Sequence, residues 1–172
     1  MALTPKHLIF IDFEASSLGP GSWPIEVGLA WIVDGAVETW SSLIRPEPYW
    51  DDSAWSAEAA RIHRIERAEL DIAPRAADIA DRLLDRIEAR HIVSDSGHDR
   101  FWAEVLLETV DQLPPPFVTI DTVISAACDG DPGIIERVGT LLQTTPRPHR
   151  AGPDAARLAE AIMLATRLQA EG

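Results

Sequence analysis

The strand that ends in Asp12-Phe13-Glu14 constrains this chain more than any other stretch. His7-Leu8-Ile9-Phe10-Ile11 is an apolar run rich in β-forming residues, and it closes on two acids. Side chains at i and i+2 of a strand point to one face, so Asp12 and Glu14 stand side by side at the strand's exit. Two like charges about 4 Å apart repel by roughly 4 kcal/mol at an effective dielectric near 20. A fold accommodates such a pair by keeping one acid protonated or by placing a cation between them. Hard divalent ions such as Mg²⁺ choose carboxylate oxygens. The alternative is a strand that simply meets water here, which charged residues also mark.

The rest of the chain reads as alternating elements. Ile25 to Val33 is a second apolar run, Asp34-Gly35 is a hairpin signal, and Ala36 to Ile44 returns as a third strand. Ser56 to Leu70 reads as one or two short helices around His63. Pro74 opens a helix with Ala76, Ile79, Ala80, Leu83, Leu84 and Ile87 on one face. His91-Ile92-Val93 is a fourth strand and Phe117 to Ile120 a fifth, with a helix from Asp99 to Asp111 between them. Short helices are expected over 124–144, and a last helix from Asp154 to Leu168. Three strands followed by alternating α and β predict an α/β fold. Its five-stranded mixed sheet has three antiparallel strands first, then two more, with helices on both faces. At 172 residues one domain over 1–172 is expected.

Charge and cysteine usage narrow the function classes. With 28 acids against 15 bases the formal charge is −13, which argues against a basic face gripping a long nucleic acid. It does not exclude an enzyme that holds one or two terminal nucleotides and brings its positive charge as bound metal. The lone Cys128 excludes an internal disulfide and a cysteine-rich zinc site, which fits a reducing cytoplasm. No apolar run approaches the ~20 residues that cross a bilayer, so no membrane partner is expected. Lys6 and His7 lead straight into a strand, with no cleavable leader pattern.

Two further acids fall in telling places. Asp99 lies in the first turn of the helix after the fourth strand, and Asp154 in the first turn of the last helix. Acids complement a helix dipole at such positions, which is explanation enough for either one alone. Together with Asp12 and Glu14 they make four carboxylates, enough to hold two Mg²⁺ ions near charge balance. Two such ions ~3.5–4 Å apart stabilise the attacking and leaving oxygens of an in-line displacement at phosphorus. His149 stands five residues before Asp154, and an imidazole beside such acids can take a proton from water near pH 7.

These motifs carry a resemblance. The chain resembles the DnaQ-like 3′–5′ exonucleases, the DEDDh branch of the ribonuclease H-like superfamily, from roughly Leu8 to Met163. The first motif is Ile9-Phe10-Ile11-Asp12-Phe13-Glu14-Ala15-Ser16-Ser17-Leu18, followed by Pro24-Ile25-Glu26-Val27-Gly28. Ile62-His63-Arg64-Ile65 is similar to the family's His-Gly-Ile segment, with Arg64 in place of glycine. The second acidic motif is Ser94-Asp95-Ser96-Gly97-His98-Asp99, and the third is His149-Arg150-Ala151-Gly152-Pro153-Asp154.

The resemblance implies a ribonuclease H-like fold and a 3′–5′ exonuclease that releases nucleoside 5′-monophosphates. Asp12, Glu14, Asp99 and Asp154 would bind two Mg²⁺ or Mn²⁺ ions, and His149 would be the general base that activates the attacking water. Phe13, Ala15, Ser16 and Leu18 would line the pocket for the terminal nucleotide, with Leu18 wedged against its base. The second motif departs from the usual His-Asn-x-x-Phe-Asp: Ser94 and Asp95 replace His-Asn, and His98 replaces Phe. Asp95 is therefore a rival of Asp99 as ligand, and His98 either fills the Phe site or touches substrate. Trp23 either stacks on a base, packs in the core or stands idle on the surface. The short stretch from Asp129 to Arg147 and the missing basic face favour a short or single-stranded DNA or RNA substrate. The resemblance admits a homodimer, although no stretch forces one. Two other readings stay open: a non-catalytic ribonuclease H-like binding module, and a Mg²⁺-dependent phosphohydrolase of small phosphate esters.

Overall fold

The apolar run before Asp12 becomes β1 (Leu8–Ala15), the middle strand of a five-stranded sheet. The computed structural model describes residues 4–171. Residues 1–3 and 172, which the one-domain expectation also spans, lie outside the described residues. β2 (Pro24–Val33) and β3 (Ala36–Leu43) follow as an antiparallel hairpin. Asp34 and Gly35 close it at φ of 49° and 78°, the positive pair that a type I′ turn requires. β4 (His91–Ser94) runs parallel to β1, and β5 (Phe117–Thr119) parallel to β4. The order is β3-β2-β1-β4-β5, so the sheet is mixed, as expected.

Leu8 through Phe13 are all buried, because both faces of β1 are covered. On one face α2 (Ala76–Ile87) and α3 (Gly97–Glu108) pack over Ile9, Ile11, Phe13 and Leu29. On the other, α4 (Ile120–Ala127), α5 (Pro132–Thr144) and α6 (Ala151–Glu171) pack over Leu8, Phe10, Ala30 and Val93. The remaining helix, α1 (Ala57–His63), sits with Trp55 and Ile65 near the exit of β1. Among the described residues no helix is long and apolar enough to cross a membrane.

Several boundaries differ from expectation, and three helices show why. Ile120 belongs to α4 rather than β5, because the Thr119 side chain accepts the Thr122 N–H and caps the helix there. α3 begins two residues before Asp99, where Ser96 caps it, and ends at Glu108 ahead of Asp111 at φ 55°. α6 begins at Ala151 rather than Asp154. Its start is set by contact with the sheet: a Cβ built on Gly28 would lie 2.1 Å from the Ala151 carbonyl carbon. Only glycine lets the helix start approach β2 this closely.

Candidate active site

β1 delivers Asp12 and Glu14 to one side of the sheet, opposite Gly28 and Glu26 of β2. α6 lies flat on Gly28 and so brings Asp154 to them, while α3 brings Asp99 from the edge of β4. Two groups of donor atoms result, each with ligand-capable atoms within 4.8 Å of one another: Glu14, His149 and Asp154, and Asp12, Asp95 and Asp99. Residues far apart in the chain thus meet, and all of these but Asp154 line one cleft of about 410 Å³.

The acids are buried with little to pair them. Asp12, Asp99 and Asp154 are 4%, 1% and 1% exposed. Asp99 accepts the Phe13 N–H at 3.2 Å through Oδ1. Its Oδ2, Asp12 Oδ2 and both oxygens of Asp154 are buried without a hydrogen-bond partner. Burial, then the charges of Asp99, Glu14 and Asp154, pushes Asp12 up to about 9. Burial and Asp154 push Glu14 up to about 8; burial and Asp95 push Asp99 up to about 7. Asp154 is also raised, chiefly by burial. Buried carboxylates with orphaned oxygens and raised affinities for protons are short of positive charge. An all-oxygen donor set with one imidazole suits a hard divalent ion, so the residues fit the group that the motifs imply.

Two arginine contacts that the sequence analysis did not single out shape the site. Glu26, 3% exposed, accepts a bidentate pair from Arg150 at 2.8 and 2.9 Å and the Ala151 N–H at 3.0 Å. This clamp fixes the turn at His149, whose φ is 54°, against β2. The Arg147 guanidinium stands 3.5 Å from Asp12 and 3.6 Å from Asp95. No periodicity signals either pair; only the loop-to-strand separation, more than a hundred residues, brings Glu26 to Arg150.

Phe13, Ala15, Ser17 and Leu18 line the cleft, and Leu18 is 74% exposed at its mouth. Ser16 turns inward instead. Its hydroxyl accepts the Trp23 N–H, and its carbonyl accepts the Ser56 N–H. β1 ends at Ala15, after a register shift at Glu14/Ala15, so both serines lie in the bend beyond the strand. Trp23 packs in the core at 1% exposure, stacked on Trp50, so it does not offer a face to a base. His98 is exposed and stacks on Trp102 at 5.4 Å rather than filling a buried Phe site. His63 also lines the cleft; its Nδ1 accepts the Ile65 N–H, which leaves the proton on a buried, unpartnered Nε2. Arg64 takes φ 58° as the cap of α1, which is why a glycine would suit that position.

The strand order 3-2-1-4-5, with helices on both faces, is the ribonuclease H-like fold. Solved exonuclease structures are similar to this chain. A 3′-exonuclease solved for 3′-end-specific recognition of a histone mRNA stem-loop has a TM-score of 0.68 at 16% identity, over 99% of this chain and 66% of that one. Exonuclease X, in complex with 5′ overhanging duplex DNA, has a TM-score of 0.62 at 20% identity, over 95% of this chain and 93% of that one. E. coli Exonuclease I, in complex with a dA16 oligonucleotide, has a TM-score of 0.66 at 16% identity. The chain spans 42% of that protein's length. No protein-family model matches the sequence, and neither does any curated protein. At these identities the likeness establishes the fold.

Proposed function

We propose that this chain is a divalent-metal-dependent 3′–5′ exonuclease acting on short or single-stranded nucleic acid. The observation that carries the reading is the set of buried, unpartnered carboxylate oxygens on Asp12, Asp99 and Asp154 beside Glu14 and His149. Asp12, Glu14, Asp99 and Asp154 would hold Mg²⁺ or Mn²⁺, two ions in all. When bound, the metal supplies the positive charge that phosphoryl transfer needs at the attacking and leaving oxygens.

The chain's own groups do the rest. Leu18 at the cleft mouth meets the last base, and the buried Phe13 and Ala15 line the same cleft. His149 takes the proton of the attacking water, held in reach by the Glu26–Arg150 clamp. The water oxygen bonds to phosphorus as the bond to the 3′ oxygen breaks. The shortened strand's 3′ oxygen takes a proton from solvent, and the last nucleotide leaves as a 5′-monophosphate. A binding module would have no use for this cluster, since unpaired buried acids destabilise the fold that carries them.

The test is a time course on matched 5′-labelled single-stranded DNA and RNA with Mg²⁺, then with excess EDTA. A ladder that shortens from the 3′ end and stops in EDTA supports the reading. No shortening with Mg²⁺ or Mn²⁺ refutes it, and phosphate release from small esters alone would point to a phosphohydrolase.

A further inference from the structure

The sequence sets Asp95 and Asp99 as rivals for one place, but the structure puts both beside Asp12. Ligand-capable oxygens of the three lie within 4.8 Å of one another. Asp12 and Asp99 are each more than nine-tenths buried, and each carries an Oδ2 that meets no partner. Those orphaned oxygens point to a cation independently of the number of acids. Asp95 is held by Arg157, 7% exposed, whose guanidinium donates to its Oδ2 at 2.9 Å. Among the described hydrogen bonds none uses Asp95 Oδ1. The cation that reaches Asp12 is Arg147, at 3.5 Å from Asp12 and 3.6 Å from Asp95. Both distances are long for a charge-assisted bond, which runs ~2.7–2.9 Å, so Arg147 rests against the acids without fitting them. Its side chain is 43% exposed, free to swing away.

We propose that Asp12, Asp95 and Asp99 form a cation seat of their own, with Asp95 as an additional oxygen ligand. In the metal-free chain Arg147 holds that seat's countercharge, and it leaves when a divalent ion arrives. The inference rests on the metal-dependent reading above and deepens it: five carboxylates serve the site rather than four. Arg147 also lines the cleft, so the displaced guanidinium stays within reach of a substrate phosphate. One residue therefore opposes the metal and assists the nucleic acid.

The experiment titrates the full chain with Mn²⁺ alone, by calorimetry. It is run at ~0.5 M KCl, where screening falls to a few Å and through-space effects of an exposed charge shrink. Asp95→Asn is expected to weaken Mn²⁺ binding about tenfold, the scale on which site residues act on metal affinity. Arg147→Gln is expected to tighten it about threefold, the measure of an exposed ion pair, while raising KM for an oligonucleotide. Asp95→Asn leaves Arg157 unpaired and is checked for folding; if it does not fold, Arg147→Gln decides alone, because its side chain packs in no core. Wild-type affinity in folded Asp95→Asn, or unchanged or weaker binding in Arg147→Gln, overturns the proposal. If the wild type binds Mn²⁺ yet shortens no oligonucleotide, the nuclease reading falls and the isotherms still judge the seat. If it shortens oligonucleotides while neither variant shifts Mn²⁺ binding, only the seat falls.

Discussion

Removing divalent metal should make this chain lose stability as pH rises, and adding it back should abolish the loss. In EDTA the native state holds a proton on Asp12, pushed up to about 9, on Glu14, about 8, and partly on Asp99, about 7. The unfolded chain gives those protons up near pH 4. A folded pKa above the unfolded one means that the native state binds more protons. The stability is therefore fully present at low pH and is lost as pH rises toward 9. Each acid still protonated in the native state costs ~1.4 kcal/mol per pH unit. A window from pH 7 to 8.5 lies above the range where His63, lowered by burial, would act with the opposite sign. Across it Asp12 alone removes about 2 kcal/mol. For a chain of this size that is a fall of ~4–8 °C in Tm. With saturating Mg²⁺ the acids are already ionised in the native state, so the fall disappears and the gap between Mg²⁺ and EDTA melts widens with pH. Thermal melts at pH 7, 7.75 and 8.5 (set points taken as roughly even steps across the window) test this. An EDTA melt that stays flat or rises, or a Mg²⁺ shift independent of pH, would refute the reasoning.

Three other perturbations separate the roles of these residues. Asp12→Asn should reduce turnover below about 1% of wild type, since removing one member of a catalytic unit costs most of its rate. The same change should raise the EDTA melting temperature at pH 8, because an amide needs no proton to stay neutral in the native state, whereas Asp12 must hold one far above its unfolded pKa; unchanged turnover would contradict the assignment. Gly28→Ala should cost ~3 kcal/mol or more in urea unfolding, since its Cβ would lie 2.1 Å from the backbone of Ala151 and push α6 off β2. Glu26→Gln should cost about 1–3 kcal/mol, because it weakens the charge-assisted bonds that the buried carboxylate accepts from Arg150 and the Ala151 N–H while the half-exposed guanidinium stays solvated, and Glu26→Gln/Arg150→Gln should recover part of that, as urea midpoints will report.

The candidate cluster was more legible than the wiring around it. That Asp12 and Glu14 stand side by side follows from strand alternation, which is local, whereas the weight given to His149 beside Asp154 comes from the family resemblance. The hairpin at Asp34-Gly35 was legible for the same reason: its turn chemistry is local. The sheet order could not be read this way, since parallel pairing of β1 with β4 joins residues more than eighty apart. Ser16 and Ser17 show where local reading fails. The resemblance implies Ser16 at the pocket, but both serines lie past the end of β1, where Ser16 is buried against the Trp23 N–H and Ser17 lines the cleft. Glu26 and Arg150 fall inside motifs and Arg147 just before one, but nothing local pairs them; their contacts appear only when loop and strand meet.

The distribution of charge around the cleft leads to a last prediction, on how substrate is held. Arg150 is committed to Glu26, Arg157 to Asp95 and the Leu142 carbonyl, and Arg147 rests between Asp12 and Asp95. The arginines that the fold brings to the acids therefore neutralise the protein before they can neutralise phosphate. With a formal charge of −13 the surface beyond the cleft repels a long strand. Binding would then rest on Leu18 against the base, and on metal and the displaced Arg147 at the last one or two phosphates. Proteins that pair many phosphates with lysine and arginine lose about 10³–10⁵ in affinity between roughly 50 and 200 mM salt. Here one or two phosphates are engaged, so KM at fixed Mg²⁺ should change by less than about tenfold over the same interval. Lengthening the oligonucleotide beyond the few nucleotides that the cleft can hold should not lower it. A steep salt dependence, or a KM that keeps falling with strand length, would mean that a cationic track exists outside the cleft and that the acidic surface does not set the substrate.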